Sequence, residues 1–283
     1  MPRDPDVLAR ELLGHAADEI EPLVVWPDRA SYRVTCGAER FVLKTDDNAQ
    51  RIAREAAGQA RAAAAGVRVP EMIAVSSNAF AMRWVDGVPL RDHSTPAAWA
   101  DTGRQLRIAH DVGGGAPLGS GFGVFEADYP TWRAFFEIFA EWTLRDGARE
   151  LGFPADQAAR IRAAVRDAAP LLDATHLAWC HGDFQPDHVL IDPSTDRVAA
   201  IIDWADHGSG DAVWDVSVLT LDDDSNLDAF LAGYDAGRDL RVAVRELRPL
   251  YSVVRLLGSA SWLAQHGHPL ATDHLQRALA WRR

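Results

Sequence analysis

The segment that most restricts what this chain can become runs from His181 to Asp203. It opens with a polar loop, His181-Gly182-Asp183-Phe184-Gln185-Pro186-Asp187-His188, passes through the apolar run Val189-Leu190-Ile191, and turns at Asp192-Pro193-Ser194-Thr195-Asp196. A second apolar run, Val198 to Ile202, ends abruptly in Asp203. Two short β-branched runs on either side of a turn-rich stretch spell a hairpin. Strands of similar length return Asp203 to the loop from which the hairpin left, so Asp183 and Asp203 converge at one end of a buried ribbon. Such a pair suits one carboxylate as a general base and the other as a ligand to a hard metal ion. The plainer alternative is a hairpin capped by two aspartates.

At 283 residues the chain can bury the core of one large domain or of two modest ones. Its 48% hydrophobic and 25% charged residues are those of a folded protein rather than a disordered one. No apolar run approaches the roughly 18 residues of a membrane span. The opening Met1-Pro2-Arg3-Asp4-Pro5-Asp6 lacks a secretory core. Cys36 and Cys180 make neither a disulfide scaffold nor a zinc site, so a reducing cytoplasm is the expected setting. A formal charge of -12 argues against nucleic acid as a partner and favours a cationic small molecule. Lys44 is the one lysine among 29 basic residues. A compact ammonium retained in so arginine-rich a chain points to a tight site where a guanidinium does not serve.

Periodicity organises the rest. A helix is expected over residues 7–20, a strand over Leu23–Trp26, a turn at Pro27–Ala30, and a hairpin of Ser31–Cys36 with Arg40–Thr45 through Gly37-Ala38. Val42 and Lys44 then share one face of the sheet, and Phe41 and Leu43 the other. Asp46 and Asp47 are cap candidates for a helix that runs to about Ala65 and stops at Gly66. From its middle Glu55 can turn back to Lys44. Strands follow at Met72–Val75 and Phe80–Val85, then a hinge near Asp86–Pro89. Beyond it the pattern is mostly helical: Pro96–His110, Thr131–Asp146, Ala155–Leu172 and most of Asn226–Trp281. The glycines between Gly113 and Gly123 lack the strand-before, helix-after setting of a nucleotide fingerprint and read as a connector. Trp132, Phe135, Phe136, Phe139 and Trp142 form an apolar stripe that reads as core. Asp211 is a plausible N-cap, and Asp215, one turn on, faces inward where a buried carboxylate needs donors such as loop amides.

In this order these residues resemble the aminoglycoside phosphotransferase family, small-molecule relatives of the protein kinases, over roughly Leu23 to Tyr234. The resemblance implies an α+β, bilobal, protein-kinase-like fold. A five-stranded antiparallel N-lobe with one helix (residues 1–86) would pack on a mainly helical C-lobe (residues 87–283), with ATP or GTP and Mg²⁺ in the cleft. Lys44 matches the lysine on the α/β-phosphates, with Glu55 as its ion-pair partner. Arg83 and Val85 fall where the hinge meets the base edge. Pro27 to Ser31 match the loop over the phosphates, although it is not glycine-rich here. Asp183, with His181 in the same loop, falls in the catalytic set; Asp183 matches the base that takes the acceptor's proton. Asp203 matches the magnesium ligand, and Asp215 the buried brace of the loop. One departure stands out. The family has Asn, a ligand of the second metal, where this chain has His188. Macrolide phosphotransferases resemble the chain there, since some end the loop in His-Val-Leu-Ile-Asp.

The function this implies is O-phosphorylation of a cationic small molecule, an antibiotic of the aminoglycoside, macrolide or basic cyclic peptide kind, giving resistance by inactivation. Asp206, Glu137 and Glu141 are the candidate substrate-facing carboxylates. A metabolic kinase for choline, homoserine or a sugar is the alternative. A nucleotide-binding pseudokinase is a third reading, opened by His188 and opposed by the presence together of Lys44, Glu55, Asp183 and Asp203.

Overall fold

The computed structural model describes residues 4–112, 129–175 and 177–282. The glycine connector read at 113–123 lies outside the described residues.

Helix α1 (Pro5–Leu13) starts on Asp4, whose side chain accepts from the Asp6 amide at 2.9 Å, and stops at Gly14 in the left-handed conformation, φ 82. The helix expected over 7–20 is therefore shorter, because Gly14 turns the chain out and strand β1 (Glu19–Val25) begins soon after. β2 (Arg29–Cys36) and β3 (Glu39–Asp46) form the expected hairpin. Helix α2 (Ala49–Ala65), β4 (Met72–Val75) and β5 (Ala79–Arg83) follow, giving an antiparallel sheet in the order β1-β2-β3-β5-β4. The cap of α2 is Asn48, which accepts from the amides of Gln50 and Arg51. Asp46, one of the two expected caps, instead accepts from the Asn48 amide at 2.8 Å and sets the turn.

Alternation along β3 separates two small cores. Phe41 and Leu43 pack with Val34 and with Leu8 of α1; Val42 packs with Ile52 of α2, Phe80 and Met82. Burying a side chain such as Leu43 or Phe80 contributes roughly 1.5–3 kcal/mol. The sheet thus carries α1 on one face and α2 on the other.

The chain then passes through β6 (Val88–Pro89) into α3 (Pro96–His110), α4 (Trp132–Leu151), α5 (Ala155–Asp167) and α6 (Ala169–Asp173). The single helix expected over 155–172 breaks at Ala168, where Pro170 removes an amide and crowds the residues before it. Strands β7 (Leu177–Cys180), β8 (Val189–Asp192), β9 (Arg197–Ile201) and β10 (Gly208–Asp211) come next, with β8–β9 as the expected hairpin, β6 beside β8, and β7 paired with β10. Helices α7 (Ala212–Leu219), α8 (Leu227–Gly233), α9 (Arg238–Gln265) and α10 (Leu270–Ala280) complete the fold. Trp132, Phe135 and Phe136 of α4 enter the large core, while Trp142 is 37% exposed. Ten positions after Trp132, it has rotated about 80° off the stripe. Among the described residues no helix is long and apolar enough to cross a membrane.

Candidate active site

The β8–β9 hairpin returns the chain to its start. The Ile202 amide bonds the His188 carbonyl at 2.9 Å, and Asp203 then leaves the strand in the left-handed region, φ 63. From the opposite side comes Lys44 on β3, opposite Ser31 of β2 and Phe80 of β5. Its Nζ donates to Glu55 Oε1 at 2.8 Å and to Asp203 Oδ1 at 3.2 Å. Glu55, on α2, is only 2% exposed. Burial works against the Lys44 charge, but Asp203 and Glu55 outweigh it and hold the ammonium well above its ordinary range. Burial pushes the Glu55 carboxyl up to about 7, against the pull of Lys44. Asp203 is held far below the usual carboxylate range, since Lys44 and His188 overcome its burial.

Asp183 lies on the loop between β7 and β8. Gln185 Nε2 donates to both of its carboxylate oxygens at 2.9 Å, and the Arg255 guanidinium of α9 donates to Oδ1. Burial opposes the Asp183 charge, yet Arg255 and His188 keep its pKa below the ordinary value. The loop itself hangs on Asp215 of α7. That fully buried carboxylate accepts the amides of His181 at 2.7 Å and Gly182 at 2.9 Å, and His110 Nε2 of α3 at 3.0 Å. His110 in turn meets the Tyr234 hydroxyl at 2.7 Å. Gly182 has φ 87, and a Cβ there would sit 2.1 Å from the Asp206 carbonyl oxygen. Only glycine lets the loop lie against the segment after Asp203.

The two histidines of the loop differ. His181 is fully buried; its Nε2 donates to the Ile202 carbonyl at 2.9 Å and its Nδ1 faces the Asp183 amide at 3.4 Å. Both nitrogens bind backbone, so His181 ties the loop to the hairpin and leaves no free nitrogen for proton transfer. His188 Nδ1 donates to the Asp183 carbonyl at 2.8 Å, which turns Nε2 towards Asp203 Oδ2, 3.7 Å away.

The remaining expected site residues are dispersed. The Arg83 amide bonds the Glu71 carbonyl, and its guanidinium pairs with Glu39 and Glu71. The Trp84 amide bonds the Arg40 carbonyl, so Val85 is the first residue of the hinge beyond these contacts. Ser31 lies within β2, behind a tight turn closed by the Trp26 amide on the Arg29 carbonyl. Glu137 pairs with Arg133 and Glu141 with Arg162, partners on α4 and α5 and not on the elements that carry the loop. Asp206 is different. It sits beside the loop with no ion pair among the described residues, and burial together with Asp183 raises its pKa. Gln185, Arg255 and His110 were not singled out from sequence. Gln185 stood in the loop with nothing to mark it, and the other two come from distant helices.

The model of the phosphotransferase enzyme family (APH) matches residues 22–250. The chain belongs to that family. Among solved structures, this phosphotransferase-family protein is similar to a candidate fructosamine-3-kinase from Thermobifida fusca YX-ER1, at 23% identity over 98% of each chain with a TM-score of 0.70. It is also similar to the macrolide 2'-phosphotransferase of Brachybacterium faecium, at 18% identity over 99% of this chain and 97% of that one, TM-score 0.69. A ternary complex of APH(2")-IIa with streptomycin and ATP matches at 15% identity over 100% and 98% of the two chains, TM-score 0.69. No curated protein matches by sequence. The family and the shared kinase-like fold make this chain a small-molecule phosphotransferase.

Proposed function

We propose that the protein moves the γ-phosphoryl of ATP or GTP to a hydroxyl of a small molecule that carries an ammonium group near that hydroxyl. The observation that carries this reading is the meeting of Lys44 and Asp203 across the cleft beside Asp183. Lys44, braced by Glu55, takes the nucleotide phosphates. Val85 offers the hinge backbone to the base, with residues 1–86 as the nucleotide lobe and 87–283 as the acceptor lobe. Asp183 accepts the proton of the acceptor hydroxyl as its oxygen attacks phosphorus.

The donor set fits Mg²⁺. Asp203 Oδ2 makes no hydrogen bond within the described residues, and the Nε2 of a neutral His188 presents a lone pair beside it. Asp203 and His188 would hold the ion, which when bound neutralises phosphate charge. The unpaired Asp206 carboxylate and the formal charge of -12 support a cationic acceptor, of which aminoglycosides, macrolides and basic cyclic peptides are the antibiotic candidates.

The test is incubation with ATP or GTP and Mg²⁺ against a panel of these antibiotics, glycated amines, choline, homoserine and neutral sugars, scored by mass spectrometry for one added phosphoryl group. Phosphorylation confined to cationic members supports the reading; turnover of neutral sugars alone overturns the role of Asp206.

A further inference from the structure

Arg255 lies near the middle of α9 and reaches the catalytic loop, where its Nη2 donates to Asp183 Oδ1. Its side chain is 25% exposed, and Asp183 is its one carboxylate partner among the described residues. A guanidinium carries five N–H donors, so most of the fork is left for another anion.

This contact is at odds with the task of a base. The acceptor hydroxyl must come within about 2.6–3.2 Å of a carboxylate oxygen. Gln185 already bridges both oxygens of Asp183, so an arriving hydroxyl competes with Arg255. The acceptor brings a replacement anion with it. In a reactive geometry the phosphorus lies about 3–3.5 Å from the attacking oxygen, which puts its equatorial oxygens within range of the same fork. Lys44, another cation beside the loop, is engaged on the nucleotide side by Glu55 and Asp203, and Arg91 is paired with Asp187.

We propose that Arg255 is a catalytic residue: ion-paired with Asp183 before transfer, it passes onto the equatorial oxygens of the phosphoryl group during transfer. The inference rests on the phosphotransferase reading above. In the step, the acceptor oxygen forms its bond to phosphorus and its proton passes to Asp183. The bond to the bridging oxygen breaks and leaves its electron pair on the nucleoside diphosphate. The planar fork meets charge spread over the three equatorial oxygens, a task for which a lysine ammonium is the wrong shape.

Aluminium fluoride with ADP mimics the phosphoryl group in flight and needs no identified acceptor. Calorimetry of Mg-ADP binding, with and without aluminium fluoride, is compared for wild type, Arg255→Ala and Arg255→Lys. Fluoride is expected to tighten ADP on the wild type by about 10²-fold or more. Arg255→Ala should bind ADP alone as the wild type does, which also shows that it folds, yet lose most of the tightening. Arg255→Lys should keep a minor part of it. Full tightening in Arg255→Ala, or none in the wild type, overturns the proposal. If Arg255→Ala keeps the tightening but raises the KM of an acceptor found in the panel, the guanidinium serves an anion of the acceptor instead. A wild type that binds neither ADP nor, in the same assay, GDP fails the phosphotransferase reading itself, a result distinct from diphosphate binding that fluoride does not change.

Discussion

Lys44 and Asp183 face one cleft but are held there by different means. The Lys44 partner Glu55 is eleven positions away, on the helix that follows the same strand. Strand register and helix phase within one β–α unit place both, and the carboxylate is almost completely buried. Around Asp183, beyond its loop neighbours Gln185 and His188, the contacts are long-range. Arg255 is 72 positions away, and Asp215, which holds the loop amides, is 33 and 34 positions from them. His110, which holds Asp215, is 105 positions from it. The Lys44–Glu55 pair is a local unit, whereas the setting of Asp183 exists only when α3, α7 and α9 have packed.

If the two sides are separable, their variants should fail differently. Asp183→Asn should lower turnover by about 10²–10⁴-fold, the usual cost of a lost positioned base, with nucleotide affinity close to wild type by calorimetry. Loss of nucleotide binding in that variant would make Asp183 part of the nucleotide side. Lys44→Ala should act in the other direction. It should weaken nucleotide use by roughly 10–100-fold, the worth of a charge-assisted hydrogen bond or two, with Lys44→Arg recovering part. Wild-type turnover by Lys44→Ala at subsaturating nucleotide would break the assignment of the cleft.

The same contrast sets what the sequence could disclose. The β2–β3 hairpin, the face shared by Val42 and Lys44, the reach of Glu55 and the β8–β9 hairpin follow from alternation and turn chemistry, whose range is a few residues. The end of α1 at Gly14 and the cap at Asn48 were legible in kind but misplaced, because several good caps and stops lie close together. Arg255 could not be read. α9 is rich in arginines, such as Arg245 and Arg248, that instead pair with Glu246 and Asp224, and only its packing selects the one that meets Asp183. For Asp206, Glu137 and Glu141 the sequence offered three equal carboxylates; in the fold, neighbouring arginines pair with two of them.

The join between the two sides can be loosened by acid. His207 packs on α2 so closely that a Cβ on Gly58 would stand 2.1 Å from its ring, and its Nε2 meets the Arg54 carbonyl at 3.2 Å. Burial, and then the Arg54 cation, push its pKa down to about 4. In the unfolded chain it should titrate near 6.5. Between those values the unfolded chain binds a proton that the folded one does not, so stability falls as pH drops from about 6.5 to about 4 and is unaffected by this group above that window. The contribution is roughly 1–2 kcal/mol after allowance for its partial exposure. Urea melts across this range should show a shallower acid limb for His207→Asn than for wild type; equal slopes would remove His207 from the join.

His188 belongs to neither side alone, since its Nδ1 holds the Asp183 carbonyl while its Nε2 faces Asp203. Burial lowers its proton affinity, but Asp203 and Asp183 outweigh burial and raise its pKa. A cation at Asp203 that uses Nε2 must therefore compete with a proton bound more tightly than usual, and activity should fall as pH drops through and below the raised pKa. Imidazole suits Mn²⁺ better than Mg²⁺, whereas an amide oxygen is a hard ligand suited to Mg²⁺. The Mn²⁺-to-Mg²⁺ activity ratio of the wild type should thus exceed that of His188→Asn by a modest factor, on the order of 3. The substitution should also relieve the loss of activity in mild acid. Turnover with each metal, at pH about 6 and about 8, reads both effects. An unchanged ratio with an unchanged acid limb would mean that His188 only supports the loop through Nδ1. Tighter nucleotide binding by the wild type in mild acid would place a protonated His188 on a phosphate, and so move it wholly to the nucleotide side.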